Sequence, residues 1–380
     1  MNDMLFKTID SLNEQYISFW EEICNIETPT LHKEGIDRAS TLISEKAKEK
    51  GWMVEVYPMD IAGDLVSITM NPDSDGAPIS FSGHLDTVHP LGSFGTPAVK
   101  RDETKIYGPG VTDCKGGIVA GFMAMDALDR CGFKGRPIHL LLQVDEESSL
   151  SKKFSIKYIG EKAKDSIAFI NLEGSSRGKV CVERKGIVTF TFTVTGVEAH
   201  SSNCAKLGSN AILEAAHKII ELEKLKDDDG LTCNCGVING GTVANTVPGK
   251  CVFKANIRFS TSEQLEWVRN YVNEIAETVY VSGCTTEVVQ SGFRLAMERC
   301  DRNLELVDRI NTVLAKNEME LLTPFKRKGG SDAADITSFG IPCVDSLGVE
   351  GGRIHSPEEY AYLDSLSRSA KILAVIAKDL

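Results

Sequence analysis

The feature that most restricts the fold of this 380-residue chain is a change of hydrophobic period near Gly186. From there "GIVTFTFTVTG" alternates apolar and polar residues, the period-2 pattern of a strand with one buried face. A helical pattern follows in "SNAILEAAHKIIELEKL". Strands follow in "TCNCGVING" and "GKCVFKANIRFS", then a helix in "SEQLEWVRNYVNEIAETV" and a strand in "CTTEVVQSGF". The order β-α-β-β-α-β is that of a ferredoxin-like unit and predicts a small domain over 186–296. The flanking segments read differently. Helical patterns at 3–24 and in "DRASTLISEKAKEKG" precede apolar strands in "WMVEVYP", "LVSITM", "APISFSG", "RPIHLLLQVDEE" and "IAFINLEG", and "VTDCKGGIVAGFMAMDAL" enters a helix among them. Such alternation indicates an α/β layer architecture. Helix resumes at "NLELVDRINTVLAKN" and the chain finishes with strands and a last helix. One large α/β domain formed by 1–185 and 297–380, interrupted by the small one, is therefore expected rather than two domains in series.

Composition narrows the function. With 42% hydrophobic and 25% charged residues the chain has enough apolar surface for packed cores, which excludes a disordered protein. A net charge of −12 argues against general affinity for nucleic-acid phosphates, which needs clustered Lys and Arg. The opening "MNDMLFKTIDSLNEQYISFW" has no basic segment leading into an apolar one, and no run approaches the length of a membrane span. The expectation is a cytoplasmic protein without nucleic-acid or membrane partners. Eleven scattered cysteines, an odd number, fit thiols in a reducing compartment. Cys233 and Cys235 are too close for an ordinary disulfide and read as strand residues.

Five segments place a carboxylate or histidine where a strand or loop ends: "GHLDT" (His84, Asp86), "GPGVTDCKGG" (Asp113), "VDEESS" (Glu146, Glu147), "NLEG" (Glu173) and "GRIHSPEE" (His355). If the first strand runs on through Asp86, His84 and Asp86 face the same way, as a metal ligand and the group that orients it would. Each segment alone also fits a bland role, such as a capped strand end, a solvated glutamate pair or a packed histidine. Together they supply two histidines and several acids, close to what two metal ions need when one carboxylate bridges them. Gly108, Gly110, Gly116 and Gly117 around Asp113 permit backbone conformations closed to other residues.

From His84 through His355 the order and spacing resemble the M20 family of co-catalytic metallopeptidases and deacylases, most closely its glutamate carboxypeptidase branch. The resemblance implies a mixed-sheet dizinc exopeptidase catalytic domain with an inserted ferredoxin-like lid. It further implies that Asp113 bridges two Zn²⁺ ions, with cobalt or manganese as substitutes. His84 and Glu173 would complete one ion, Glu147 and His355 the other. Glu146 would be the general base, and Asp86 would hydrogen-bond the far nitrogen of His84. In the lid, "GVEAHSS" offers His200 as a donor to the carbonyl oxygen, often across a homodimer interface. "GGTVANTVPG" and "ANIRFS" offer Asn245 and Arg258 to hold substrate. "KRKGGSDAAD" offers Arg327 and a loop including Gly330 and Ser331 to receive a carboxylate. His32, His89, His139 and His217 lack a partner motif and are taken as structural or surface residues. The chain departs from the family pattern at Cys114, where Asp, Met or Asn is usual, and at Ser148-Ser149, where Ile-Gly is common; neither removes a ligand. The implied activity is hydrolysis of an amide next to a free carboxylate, in a small peptide or an N-acyl amino acid. Glu173 favours this over the tripeptidase or dipeptidase alternative, whose members tend to carry Asp there. A non-catalytic binding protein of the same fold would have no need of Glu146.

Overall fold

The apolar runs of the flanking segments assemble into a six-stranded mixed sheet in the computed structural model, which describes residues 2–147, 152–204, 206–227 and 230–380. Ser148-Ser149 lie outside the described residues. Across the sheet the order is Met53–Tyr57, Leu65–Met70, Ile138–Gln143, Ile79–His84, Ala168–Asn171, Cys343–Val344. The last four are parallel, and the first two complete the other edge antiparallel. Every residue of Ile79–His84 and Ala168–Asn171 is buried; Ala168–Ile170 is continuously apolar, as a strand covered on both faces allows, while the buried hydroxyls of Ser80 and Ser82 find partners in Ser166 and the Leu141 carbonyl. Parallel strands present their carboxyl ends along one edge, where open α/β sheets bind ligands. With His84 opposite Gln143 and Ser82 opposite Asn171, the chain leaves that edge at His84, before Glu146-Glu147 and before Glu173.

Helix Lys115–Arg130 packs against this sheet and is buried at every residue from Lys115 to Leu128, because helices Asp3–Asn25 and Leu363–Asp379 cover its other side. A Cβ at Gly117 would stand 2.0 Å from the carbonyl oxygen of Leu172. Glycine there lets the helix lie against the segment carrying Glu173. Gly110 meets a different need, with φ at +74°, in the left-handed region that glycine enters without steric cost.

The chain divides into two compact units. One is formed by Met1–Val182, Arg299–Lys326 and Ser331–Leu380, the other by Glu183–Glu298 with Arg327–Gly330. The second has its own antiparallel sheet, ordered Thr232–Gly240, Lys250–Phe259, Gly186–Thr195, Thr285–Arg294, the ferredoxin-like arrangement. Alternate residues Val188, Phe190, Phe192 and Val194 turn inward, and Phe192 stacks on Phe253 with ring centroids 4.6 Å apart. Helices Ala211–Leu222 and Ser262–Glu277 close this core. Each is capped at its start as the sequence invites: Asn210 accepts from Leu213 N–H and Thr261 from Gln264 N–H. Arg327–Gly330 joins this unit because Arg184 donates to the carbonyls of Gly329 and Gly330 and Arg258 to that of Lys328.

Candidate metal centre

Asp113 stands between two histidines. Its Oδ1 lies 3.0 Å from His84 Nε2 and its Oδ2 3.3 Å from His355 Nε2. On the first side Glu173 Oε1 is 3.5 Å from His84 Nε2, and on the second Glu147 Oε1 is 3.1 Å from His355 Nε2. Two donors held tetrahedrally at zinc bond lengths are about 3.3 Å apart, so each half of the cluster already has the spacing of a coordination shell. Imidazoles with carboxylates suit a borderline divalent ion.

Among the described residues, His84, Asp113 and Glu173 form one group able to hold an ion, and Asp113, Glu147 and His355 another. A third combination joins His84 to Glu146 and Glu147. It would need a second free nitrogen on His84, and Nδ1 is engaged by the backbone carbonyl of Asp86 at 2.9 Å. The two groups sharing Asp113 are the consistent pair, since only a carboxylate offers two separate oxygens.

The strand ends at His84, so the simple alternation expected through Asp86 does not apply. The Asp86 carboxylate still lies near the ring, 3.4 Å from Nδ1, but its shorter contacts are elsewhere. Its Oδ1 accepts Glu146 N–H at 3.0 Å, and its Oδ2 accepts Glu147 N–H at 3.0 Å and the Thr30 hydroxyl at 2.7 Å. One buried aspartate thus ties the His84 strand end to the turn bearing Glu146 and Glu147. Thr30 went unread in the sequence because a single threonine 56 residues upstream carries no spacing signal. Cys114, at the departure from the family pattern, takes the backbone N–H of His84 on its sulfur at 3.1 Å. Burial pushes its thiol up to about 12, so at neutral pH it is a neutral packing group beside the cluster.

Burial works against charge on His84, but its electrostatic interaction with the adjoining Cys114, followed by hydrogen bonds to Asp113 and Asp86, raises its pKa well above the ordinary imidazole value. His355 is pushed up to about 10 by its hydrogen bonds to Asp113 and Glu147. Burial opposes ionisation of Asp113, yet both histidines hold it well below the usual carboxylate range. With no metal bound, the His355 ring is protonated at neutral pH, and a metal must displace that proton. Raised histidine pKa values mean that metal affinity increases as pH rises from about 6.5 towards 10. Calorimetric titration at pH 7 in buffers of different ionisation enthalpy should register proton release on metal loading, with the His355 proton contributing. No proton release would remove His355 from the ligand set.

The second unit brings His200 and Asn245 together: His200 pairs with Thr246 across a short two-stranded bridge, and Ser201 N–H donates to the Asn245 carbonyl. His200 is exposed, and its Nδ1 accepts the Ser202 backbone N–H at 3.2 Å. In the neutral ring the proton therefore sits on Nε2, facing away from that contact. Arg258 is partly buried, and burial together with the charge of Arg294 lowers its pKa. Gly330 packs against Arg294, whose Cδ would be 2.6 Å from an added Cβ. Arg327 accepts Lys185 N–H on its carbonyl. Ser331, in the first unit, is fully buried and donates its hydroxyl to Asp345 at 2.6 Å.

The chain is similar to several known proteins. The family model described as "Peptidase dimerisation domain" matches residues 182–284. Carboxypeptidase G2 of Pseudomonas sp. (strain RS-16) is 25% identical over 100% of this chain and 92% of its own. The succinyl-diaminopimelate desuccinylase of Nautilia profundicola is 24% identical over 80% of this chain and 85% of its own. In fold, the chain is similar to the crystal structure of aminopeptidase PepT from Bacillus cereus ATCC 10987, with a TM-score of 0.80, 22% identity and coverage of 96% of this chain and 98% of that one.

Proposed function

Because this chain belongs to the M20 family of metallopeptidases and deacylases, we propose that it is a dizinc amidohydrolase cleaving an amide next to a free carboxylate, as a carboxypeptidase or an N-acyl amino acid deacylase. The observation that carries this reading is the division of Asp113, one oxygen towards His84 and Glu173, the other towards His355 and Glu147. Those five residues would hold the two ions. Bound there, the ions would lower the pKa of water to about 7 and polarise the scissile carbonyl.

The chain's own groups do the rest. Glu146 is buried, and its backbone is clamped by Asp86. Its carboxylate takes the proton from the attacking water and returns it to the leaving amine. Asp86 and the backbone carbonyl beside it keep the proton of neutral His84 on Nδ1, leaving Nε2 as the ligand atom. Nε2–H of His200 is a donor for the oxyanion of the tetrahedral intermediate. Arg258 is the receiver of the substrate carboxylate, whose negative charge offsets the repulsion from Arg294. Asn245, Arg327 and the backbone at Gly330 are the further substrate contacts of this reading. The Ser331 hydroxyl is already used by Asp345 and the residue is fully buried, which sets it apart from the other proposed substrate contacts.

A homodimer through the second unit is part of the reading. Strand Thr232–Gly240 is a sheet edge with Val237 and Ile238 about half exposed, and the adjoining helix exposes Leu213 and Ile220. Such an edge pairs readily with a second copy. None of the eleven cysteines is in a disulfide, in keeping with the proposed cytoplasmic location; among the described residues no helix is long and apolar enough to cross a membrane.

The test is a panel of N-acyl amino acids, dipeptides and tripeptides with zinc, cobalt or manganese. Blocking the substrate amino group should leave turnover intact, and amidating its carboxylate should abolish it. The reverse pattern would make the enzyme a tripeptidase or dipeptidase. His200→Ala should lower kcat by about 100- to 1000-fold with little change in KM, the loss expected for one oxyanion donor. A parallel rise in KM alone would assign His200 to binding instead.

A further inference from the structure

Three loops that carry proposed metal ligands converge on one buried carboxylate. Glu359, 1% exposed, lies four residues beyond His355. Its Oε1 accepts the backbone N–H groups of Thr112 at 2.9 Å and Asp113 at 3.0 Å. Its Oε2 meets Gly110 N–H at 3.3 Å and His89 Nε2 at 3.0 Å. A carboxylate has about four lone-pair sites, and all are taken. The positive φ of Gly110 helps turn the loop so that these N–H groups face a single point, a backbone nest for an anion. Two further bonds fasten the same junction: Gly108 N–H to the Glu359 carbonyl at 3.3 Å, and the Thr112 hydroxyl to the Tyr360 carbonyl at 2.7 Å.

His89 closes the arrangement. It lies five residues past His84, is 6% exposed, and meets Phe94 edge-on with centroids 4.9 Å apart. Since an ionised carboxylate only accepts, His89 donates from Nε2. The segments leaving His84, leading to Asp113 and leaving His355 are thereby joined at Glu359.

We propose that Glu359, assisted by His89, is the positioning residue of the metal centre. It fixes the backbone of Asp113 so that the two carboxylate oxygens divide between the two histidines, and it holds the His355 loop in the same register. This rests on the dimetal reading above. The physical reason is geometric: a bridging carboxylate serves two ions only within about 0.5 Å of its working position, and its own direct contacts with the His84 and His355 rings are ones that the bound metals would replace. The backbone anchor is what persists in both states. A purely structural anchor would instead change the melting temperature and leave the metal affinity of the folded protein unaltered.

The experiment is chelator-competition titration with Zn²⁺ and Co²⁺ on the full chain, with melting temperature recorded in parallel. Wild type should take up two ions. Glu359→Gln, which turns an amide NH₂ towards Gly110 N–H or His89, should weaken uptake by about 10- to 100-fold, the range for residues that orient ligands. At saturating metal its kcat should largely recover with KM unchanged. His89→Ala should weaken uptake in the same direction by less, and His89→Gln, which keeps a donor, should restore it. Wild-type affinity in both Glu359→Gln and His89→Ala overturns the inference, and if Glu359→Gln does not fold, wild-type affinity in His89→Ala overturns it alone. Absence of metal uptake by wild type would overturn the dimetal reading and this inference with it; two ions in wild type with unchanged variants overturns this inference only.

Discussion

Glu146→Gln should retain both metal ions and lose on the order of 10⁴-fold in kcat, the upper range for removal of a general acid–base group. The side chain is nearly isosteric, and the backbone N–H of Glu146 keeps its bond to Asp86, so the turn and its neighbour Glu147 stay in place. What disappears is a carboxylate able to accept a proton from water and pass it to the leaving amine. Metal stoichiometry by elemental analysis, together with kcat on the best substrate of the panel, checks both halves. Near wild-type turnover would take the base role away from Glu146. Loss of metal along with activity would make it a ligand, as the grouping of His84 with Glu146 and Glu147 would require.

Asp113→Asn should have the larger effect, because it removes the one group common to both sites. An amide offers one acceptor oxygen and one donor nitrogen, so one histidine and glutamate pair loses its shared ligand while the other keeps a weaker, neutral one. Uptake should fall from two ions to at most one, and hydrolysis should become undetectable. The same change deprives His84 and His355 of an anion that holds their protons. In the metal-free variant, NMR titration should therefore find both imidazole pKa values lower than in wild type. Two tightly bound ions and measurable turnover in Asp113→Asn would rule out the bridging role.

Much of this was legible before any coordinates. Strict alternation in "GIVTFTFTVTG" and the continuous apolar run of "IAFI" have different physical causes, one face buried against two, and the sheets differ accordingly. The residues at strand ends stood out because a histidine or acid directly after an apolar run is conspicuous at short range. The partners of Asp86 were not legible. A carboxylate that accepts two backbone N–H groups leaves no mark on the residue types that donate them, and those donors are 60 and 61 residues away. His89 and Glu359 were passed over for the same reason: they are 270 residues apart, and a second glutamate in "SPEE" looks like solvated charge until the loop folds inward. Ser331 was legible as part of a Gly-Gly-Ser loop, but its burial against Asp345 depends on a strand that comes later in the chain.

By itself, the sequence determined the periods, and through them the two layer types and the order of elements, because amphipathic patterning is a local property of strands and helices. It also determined which acids and histidines were available for metal chemistry. Only the tertiary structure decided how they are shared. Whether Asp113 gives one oxygen to each histidine depends on the direction of a buried carboxylate, which is set by backbone hydrogen bonds from distant segments. Those bonds form only when the parallel strands bring their ends to one edge of the sheet.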